Sequence, residues 1–246
     1  MAKQSLGIIG VGAFGAFMAK HLAPYFNLTL FDAKRNLKVI AKTHKARVGT
    51  LEDAASCRIV VVAVPVQQIE AALKQIAGYV KPGALVIDVA SVKIKPTMQM
   101  KKILPKYVDV IGTHPLFGPQ TGKNGIKGLN IALTNVRGHR APCVAKFLAQ
   151  KLKLNVHLTT AKEHDKELAY VQGLTHLLMK VVVALDLPKF RFTTKTYEYL
   201  EQMVEMIRYD SEELFRAIER ENPYSKKAKK EFFSAARKLE EKLMWN

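Results

Sequence analysis

The chain has 246 residues, 48% of them hydrophobic, with 39 Lys+Arg against 21 Asp+Glu and a formal net charge of +18. That length suits one α/β domain with a smaller partner, the hydrophobic content excludes global disorder, and no apolar stretch is long enough to span a membrane. The positive charge favours anionic ligands, but it is spread along the chain; its densest cluster, Lys226-Lys227 with Lys229-Lys230, reads as a solvated helix face, so no nucleic-acid partner is expected.

Residues 5–9 read as a buried strand and residues 10–22 as a glycine turn running into a helix. A second short strand, 28–31, ends on Asp32. RIVVVAV at 58–64 is a continuous β-branched run stopped by Pro65, the pattern of a central parallel strand. Residues 67–76 have a helical period, and 85–89 and 108–113 are further strands with a crossover helix at 95–104 between them. Later strands are expected at 130–133 and 156–158 around a helix at 142–152. This alternation predicts an α/β fold, a Rossmann-type doubly wound parallel sheet. Past Thr160 the pattern is helical only, over 161–187, 195–221 and 225–243, with breaks at Pro188 and Asn222-Pro223. The expected division is a dinucleotide-binding domain, 1–159, and an all-helical substrate and dimerisation domain, 160–246. The second piece is short, yet it carries an apolar face through Leu200, Val204, Ile207 and Ile218. Burial of that face against a second copy would make a homodimer.

Gly10, Gly12 and Gly15 form GxGxxG between the first strand and the first helix. The first glycine permits the tight turn, the second lets a pyrophosphate approach the backbone, and the third lets helix and strand pack closely. Ala13 and Phe14 open the helix whose N-terminus would face the phosphates. Asp32 lies about 20 residues beyond the middle of the motif, the distance expected of an acidic residue that holds both adenosine ribose hydroxyls. That favours NAD, while Lys34 and Arg35 beside it leave NADP open. Capping of the next helix is the plainer role for Asp32. Val64 and Pro65 end the central strand where a switch-point loop meets a cofactor, or simply stop the strand.

Ser91 follows the strand 85–89 and His114 ends the strand 108–113, both on the ligand side of such a sheet. There a histidine can take a proton from a hydroxyl while a nicotinamide takes a hydride, and a serine can fix its tautomer. Ser91 alone would read as a helix cap. Pro115, Gly118, Pro119 and Gly122 make the following segment a tight loop. His164 and His176 are twelve apart on a helical pattern, not an i, i+4 pair, and no carboxylate or cysteine completes a metal site, so no metal is expected. Cys57 and Cys143 have no metal or redox spacing and read as thiols of a reducing compartment. The apolar run 6–19 has three spaced glycines and no small-residue cleavage site, so it is not read as a secretory signal, and the expected location is the cytoplasm.

Five segments resemble the prephenate and arogenate dehydrogenase family of tyrosine biosynthesis: GVGAFG at 10–15, DVASVK at 88–93, THPLFGPQTGKNG at 113–125, EHDKELAYVQGLTH at 163–176 and TKTYEYLEQMVE at 194–205. They run in family order over nearly the whole chain. The resemblance implies a helical dimerisation domain and oxidative decarboxylation of a cyclohexadienyl ring with hydride transfer to NAD or NADP. It implies that His114 bonds the ring hydroxyl, that Ser91 orients His114, and that His176 lines the substrate pocket together with Gln120 and Thr121 of the loop. Prephenate would give 4-hydroxyphenylpyruvate; arogenate would give tyrosine. The GKNG and TKxYE pieces are similar to plant-type arogenate dehydrogenases. Two positions depart from the pattern. Where bacterial prephenate enzymes have an arginine that grips the ring carboxylate, this chain has Met206, with Arg208 two residues on and Lys195 as the other cation. Where plant-type enzymes have an acidic residue, this chain has Gln202. Prephenate is therefore the expected substrate, with arogenate the alternative; another two-domain NAD(P) oxidoreductase of the β-hydroxyacid dehydrogenase type and a non-catalytic basic binding protein are the competing readings. No mutase or regulatory domain is expected within the 246 residues.

Overall fold

The computed structural model describes residues 3–208 and 210–244. It falls into two compact units, Met1–Lys162 and Glu163–Asn246. The first unit is built on an eight-stranded sheet, with strands β1 (Gln4–Ile9), β2 (Phe26–Phe31), β3 (Arg47–Val48), β4 (Ile59–Val62), β5 (Leu85–Asp88), β6 (Asp109–Pro115), β7 (Asn130–Arg137) and β8 (Asn155–Leu158). Their spatial order is β3-β2-β1-β4-β5-β6-β7-β8. The chain winds outward through β2 and β3, then returns to β4 on the other side of β1, which creates the switch point at which such sheets bind ligands. One pair departs from the expected parallel sheet: β7 runs antiparallel to β6, with His114 opposite Ala132.

The parallel strands read as apolar runs because helices cover the sheet. These are α1 (Ala13–Leu22), α2 (Lys38–His44), α3 (Leu51–Ala55), α4 (Ile69–Ile76), α5 (Ile94–Ile103) and α6 (Ala141–Gln150). The segment 38–55 has no long periodic pattern, and α2, β3 and α3 were not expected there. Local chemistry explains them. Lys45 closes α2 in the left-handed region at φ 52°, and Thr50 with Asp53 makes a capping box for α3. Core residues Leu6, Ile8, Leu30 and Val61 pack with Val11 and Ala19, while Leu85, Ile111, Leu133 and Leu148 form a second cluster toward β7 and β8.

The second unit contains α7 (Ala161–Leu168), α8 (Thr175–Ala184), α9 (Lys195–Ile207), α10 (Glu212–Arg216) and α11 (Ser225–Met244), α7 beginning at the join. The single helix expected over 161–187 carries a π-helical turn, Ala169–Leu174, between α7 and α8. That turn shifts the helical phase, so the twelve-residue spacing of His164 and His176 is not that of one straight α-helix. The helix expected over 195–221 breaks between α9 and α10, where Ser211 accepts from Leu214 N–H and caps α10. Met179, Val204 and Ile207 form a small core, while Val181, Leu185, Phe190, Phe192 and Met206 stay exposed.

Candidate active site

The carboxyl ends of β1, β2, β4, β5 and β6 carry the glycine loop, Asp32, Val64-Pro65, the turn holding Ser91, and His114 in turn. Gly10 has φ +91°, and a side chain there would come within 2.7 Å of Ala63 O and 2.8 Å of Val64 Cγ1. A Cβ on Gly15 would meet Gly10 O at 2.2 Å, so loop and helix pack backbone to backbone. Gly12 differs: among the described residues nothing lies within 4 Å of where its Cβ would be. It is the N-cap of α1, no side chain caps that helix, and its first turn has no acidic residue. The uncapped N–H groups and the positive helix end at Ala13 and Phe14 therefore meet open space, which fits a dinucleotide pyrophosphate.

Asp32 Oδ2 accepts the Val11 N–H at 2.8 Å, while Oδ1 accepts the N–H groups of Lys34 at 2.9 Å and Arg35 at 3.1 Å. The carboxylate thus ties the glycine loop to the turn after β2. It does not cap α2, which begins at Lys38. Pro65 leads into a short 3₁₀ turn, Val66–Gln68.

His114 is 3% exposed at the end of β6. Its backbone is held by a device the sequence did not announce. Lys93 is fully buried and ion-paired to the equally buried Asp88. Lys93 Nζ also donates to Thr113 O at 2.7 Å, the carbonyl of the peptide unit that supplies the His114 nitrogen. Asp88 Oδ2 accepts the Ala90 N–H at 2.9 Å, and Asp88 O accepts the Thr113 hydroxyl at 2.7 Å. One buried pair thus fastens the turn that carries Ser91 to the residue before His114. Gly112 makes the room, since a Cβ there would lie 2.9 Å from Thr97 Cγ2 and 3.2 Å from Asp88 Oδ1. The register Asp88↔Gly112 sets the two strand ends side by side. Ser91 is half-buried and does not cap α5, whose N-cap is Lys93 without a side-chain cap bond. The only hint of this clamp in the sequence is an aspartate and a lysine five apart across a strand–helix junction.

Gln120 and Thr121 lie exposed in the loop after β6. Thr121 Oγ1 accepts the Gly118 N–H at 2.9 Å, and the loop packs so closely on α1 that a Cβ on Gly122 would meet Phe17 Cζ at 2.5 Å.

In the second unit His176 is buried in α8, with Nδ1 2.9 Å from Gln172 O and Nε2 3.1 Å from Asp210 Oδ2. Each ring nitrogen thus faces an acceptor oxygen, one from its own helix turn and one from the segment after α9. Asp210 is a partner the sequence reading missed; 34 residues separate it from His176. Lys195 pairs with Glu198 at 2.8 Å and Arg208 with Glu205 at 2.8 Å, each across one helical turn and each exposed. Gln202 is exposed on the same helix, α9. His164 is buried against Asp165 at 2.8 Å, a structural pair. Among the described residues no group of three or more His, Cys, Asp or Glu side chains could hold a metal ion.

A sequence profile described as "Prephenate dehydrogenase, nucleotide-binding domain" matches residues 25–136. Over 253 aligned residues the chain is 27% identical to arogenate dehydrogenase 1, chloroplastic, of Arabidopsis thaliana, covering 98% of this chain and 39% of that protein. It is 29% identical to a probable arogenate/prephenate dehydrogenase of Methanocaldococcus jannaschii, covering 78% of this chain and 45% of that one. The chain thus spans less than half the length of these two relatives. In fold it matches the crystal structure of prephenate dehydrogenase from A. aeolicus, solved with hydroxyphenyl propionate and NAD+, at a TM-score of 0.77 and 20% identity, over 99% of this chain and 92% of that one. With its glycine loop, its motifs and these relatives, the chain is similar to the prephenate and arogenate dehydrogenases, the matching profile covering less than half of it.

Proposed function

We propose that this protein is a nicotinamide-dependent oxidoreductase that oxidatively decarboxylates prephenate to 4-hydroxyphenylpyruvate in tyrosine biosynthesis. The observation that carries the reading is the buried His114 at the end of β6, its peptide held by Lys93, on the sheet edge that also carries the glycine loop. When bound, the nicotinamide supplies the hydride acceptor. His114 takes the proton of the ring hydroxyl as the carbinol carbon gives up its hydride. The bond to the ring carboxylate then breaks, its electron pair enters the ring, and carbon dioxide leaves an aromatic phenol. Ser91 is assigned to orient His114. His176, fixed by Asp210 and Gln172, is assigned to the substrate, as are Gln120 and Thr121.

The ring carboxylate needs a cation. Among the described residues the ion-pair partners of Lys195 and Arg208 are exposed local carboxylates, and such pairs are worth little, so either can exchange its partner for substrate. Prephenate is preferred because Gln202 offers a neutral amide where an ammonium would want a carboxylate, and because the net charge of +18 gives a cationic group no help. Arogenate is the second reading, favoured by the arogenate dehydrogenase similar to 98% of this chain. NAD is preferred to NADP because a carboxylate at Asp32, just past β2, would repel an adenosine 2′-phosphate bound beside it. The exposed apolar side chains of the second unit support a homodimer, and the cytoplasm is the compartment we infer. Initial rates on each substrate with each cofactor test the reading: prephenate with NAD gives the largest kcat/KM, and no turnover with either substrate overturns it.

A further inference from the structure

The first unit holds a cleft of about 810 Å³ whose lining, Phe14 and Thr113 apart, lies outside the proposed chemistry. Its floor is the sheet face of Ile59, Ile87 and Val89, and its walls are α1 and α6. α1 covers β1 and β2 and α6 packs on β7 and β8, while Ile59, Ile87 and Val89 between them are only partly buried. Phe147 closes one side, its ring 5.4 Å from that of Tyr25 and 5.2 Å from that of Phe26, and the Tyr25 hydroxyl donates to Lys151 O at 3.1 Å. Phe17 reaches Phe117 at 6.4 Å between ring centres. A space of this size and apolarity is in the range of small-molecule sites.

Two further features say what it would take. Every charged side chain in the lining is basic: Lys3, Arg58, Arg140 and Lys151 stand around it with no Asp or Glu among them. Arg140 is committed to Asp109, but Arg58 and Lys151 make no ion pair among the described residues. The second feature is His21 on α1. Its ring stands edge-on to Phe17 at 4.7 Å, and its Nε2 is buried in the cleft wall with no hydrogen-bond partner. A buried polar atom left so is costly unless something binds it.

We propose that this cleft binds a small organic carboxylate with an unbranched apolar chain, the chain on the sheet floor and the carboxylate at the basic rim with His21 Nε2–H as its buried donor. The floor along β5 from Leu85 to Val89 is about 13 Å long, which suits an extended chain better than a single ring.

The test uses the full chain and decanoate, kept below its micelle-forming concentration, with decyltrimethylammonium as the control of equal chain and opposite charge. Calorimetry reads affinity, and the reaction of Cys143 with a thiol reagent reads location, because Cys143 lines the cleft and is exposed while Cys57 is buried. Decanoate is expected to bind once per chain and to slow Cys143 modification, and the cation to do neither. His21→Leu should weaken decanoate by about tenfold, and Cys143→Trp, at the exposed margin, should block it. NAD titration of both variants checks that they fold. No decanoate binding, equal binding of the cation, or binding that leaves Cys143 reactive overturns the proposal.

Discussion

Lys93 Nζ lies 2.7 Å from Thr113 O, so a fully buried ammonium grips the peptide unit that carries His114. Lys93→Met would leave Asp88 buried with its charge uncompensated, and such losses cost about 3–5 kcal/mol. The urea midpoint should fall accordingly. The double change Lys93→Met with Asp88→Asn should recover much of that stability while kcat stays low, because the His114 peptide has lost its charged donor. A double variant with wild-type kcat would show that the clamp serves folding alone.

Gly12 and Gly15 should separate ligand approach from packing. Gly12→Ala places its Cβ in open space, so stability should change by less than about 0.5 kcal/mol while the dinucleotide binds about tenfold or more weakly. Gly15→Ala drives a Cβ against Gly10 O and should lower the melting temperature whether or not cofactor is present. Unchanged NAD affinity in Gly12→Ala, measured by titration, would move the pyrophosphate elsewhere.

Asp32 has two duties that one substitution can divide. Asp32→Asn removes the charge and keeps one acceptor oxygen, which set toward the Val11 N–H turns the amide N–H2 toward the Lys34 and Arg35 N–H groups, so the NADP/NAD ratio of kcat/KM should rise at a modest cost in stability. Asp32→Ala also leaves the Val11 N–H without its acceptor and should cost about 1–3 kcal/mol more. A wild-type preference for NADP would make Lys34 and Arg35 the phosphate site.

Burial holds the His21 pKa below the ordinary histidine value, with Lys20 and then His44 acting in the same direction. The unfolded chain then binds more protons than the folded one, so stability rises with pH. The contribution is complete above the ordinary histidine range and is lost as pH falls through that range toward the folded value. Urea midpoints between about pH 7.5 and 5.5 should therefore fall less in His21→Leu than in wild type. Identical slopes would contradict this.

Much of this was legible in the residues. The β-branched run before Pro65 and the three glycines place β4, β1 and α1, because buried parallel strands and tight phosphate turns leave few alternatives. What escaped detection depends on tertiary contact. The short α2, β3 and α3 rest on one capping box and one left-handed lysine, and the antiparallel β7 is set by its pairing with β6. The Asp88–Lys93 clamp needs Gly112 from the next strand, and Asp210 meets His176 only after the chain has turned back through α9.

The measurement that tests the central claim most directly is the turnover of His114→Asn with prephenate and NAD. The account predicts that NAD affinity is kept and that kcat falls by roughly two to four powers of ten, the usual worth of a positioned general base. A kcat within a few-fold of wild type would contradict it and send the search for the base to another residue.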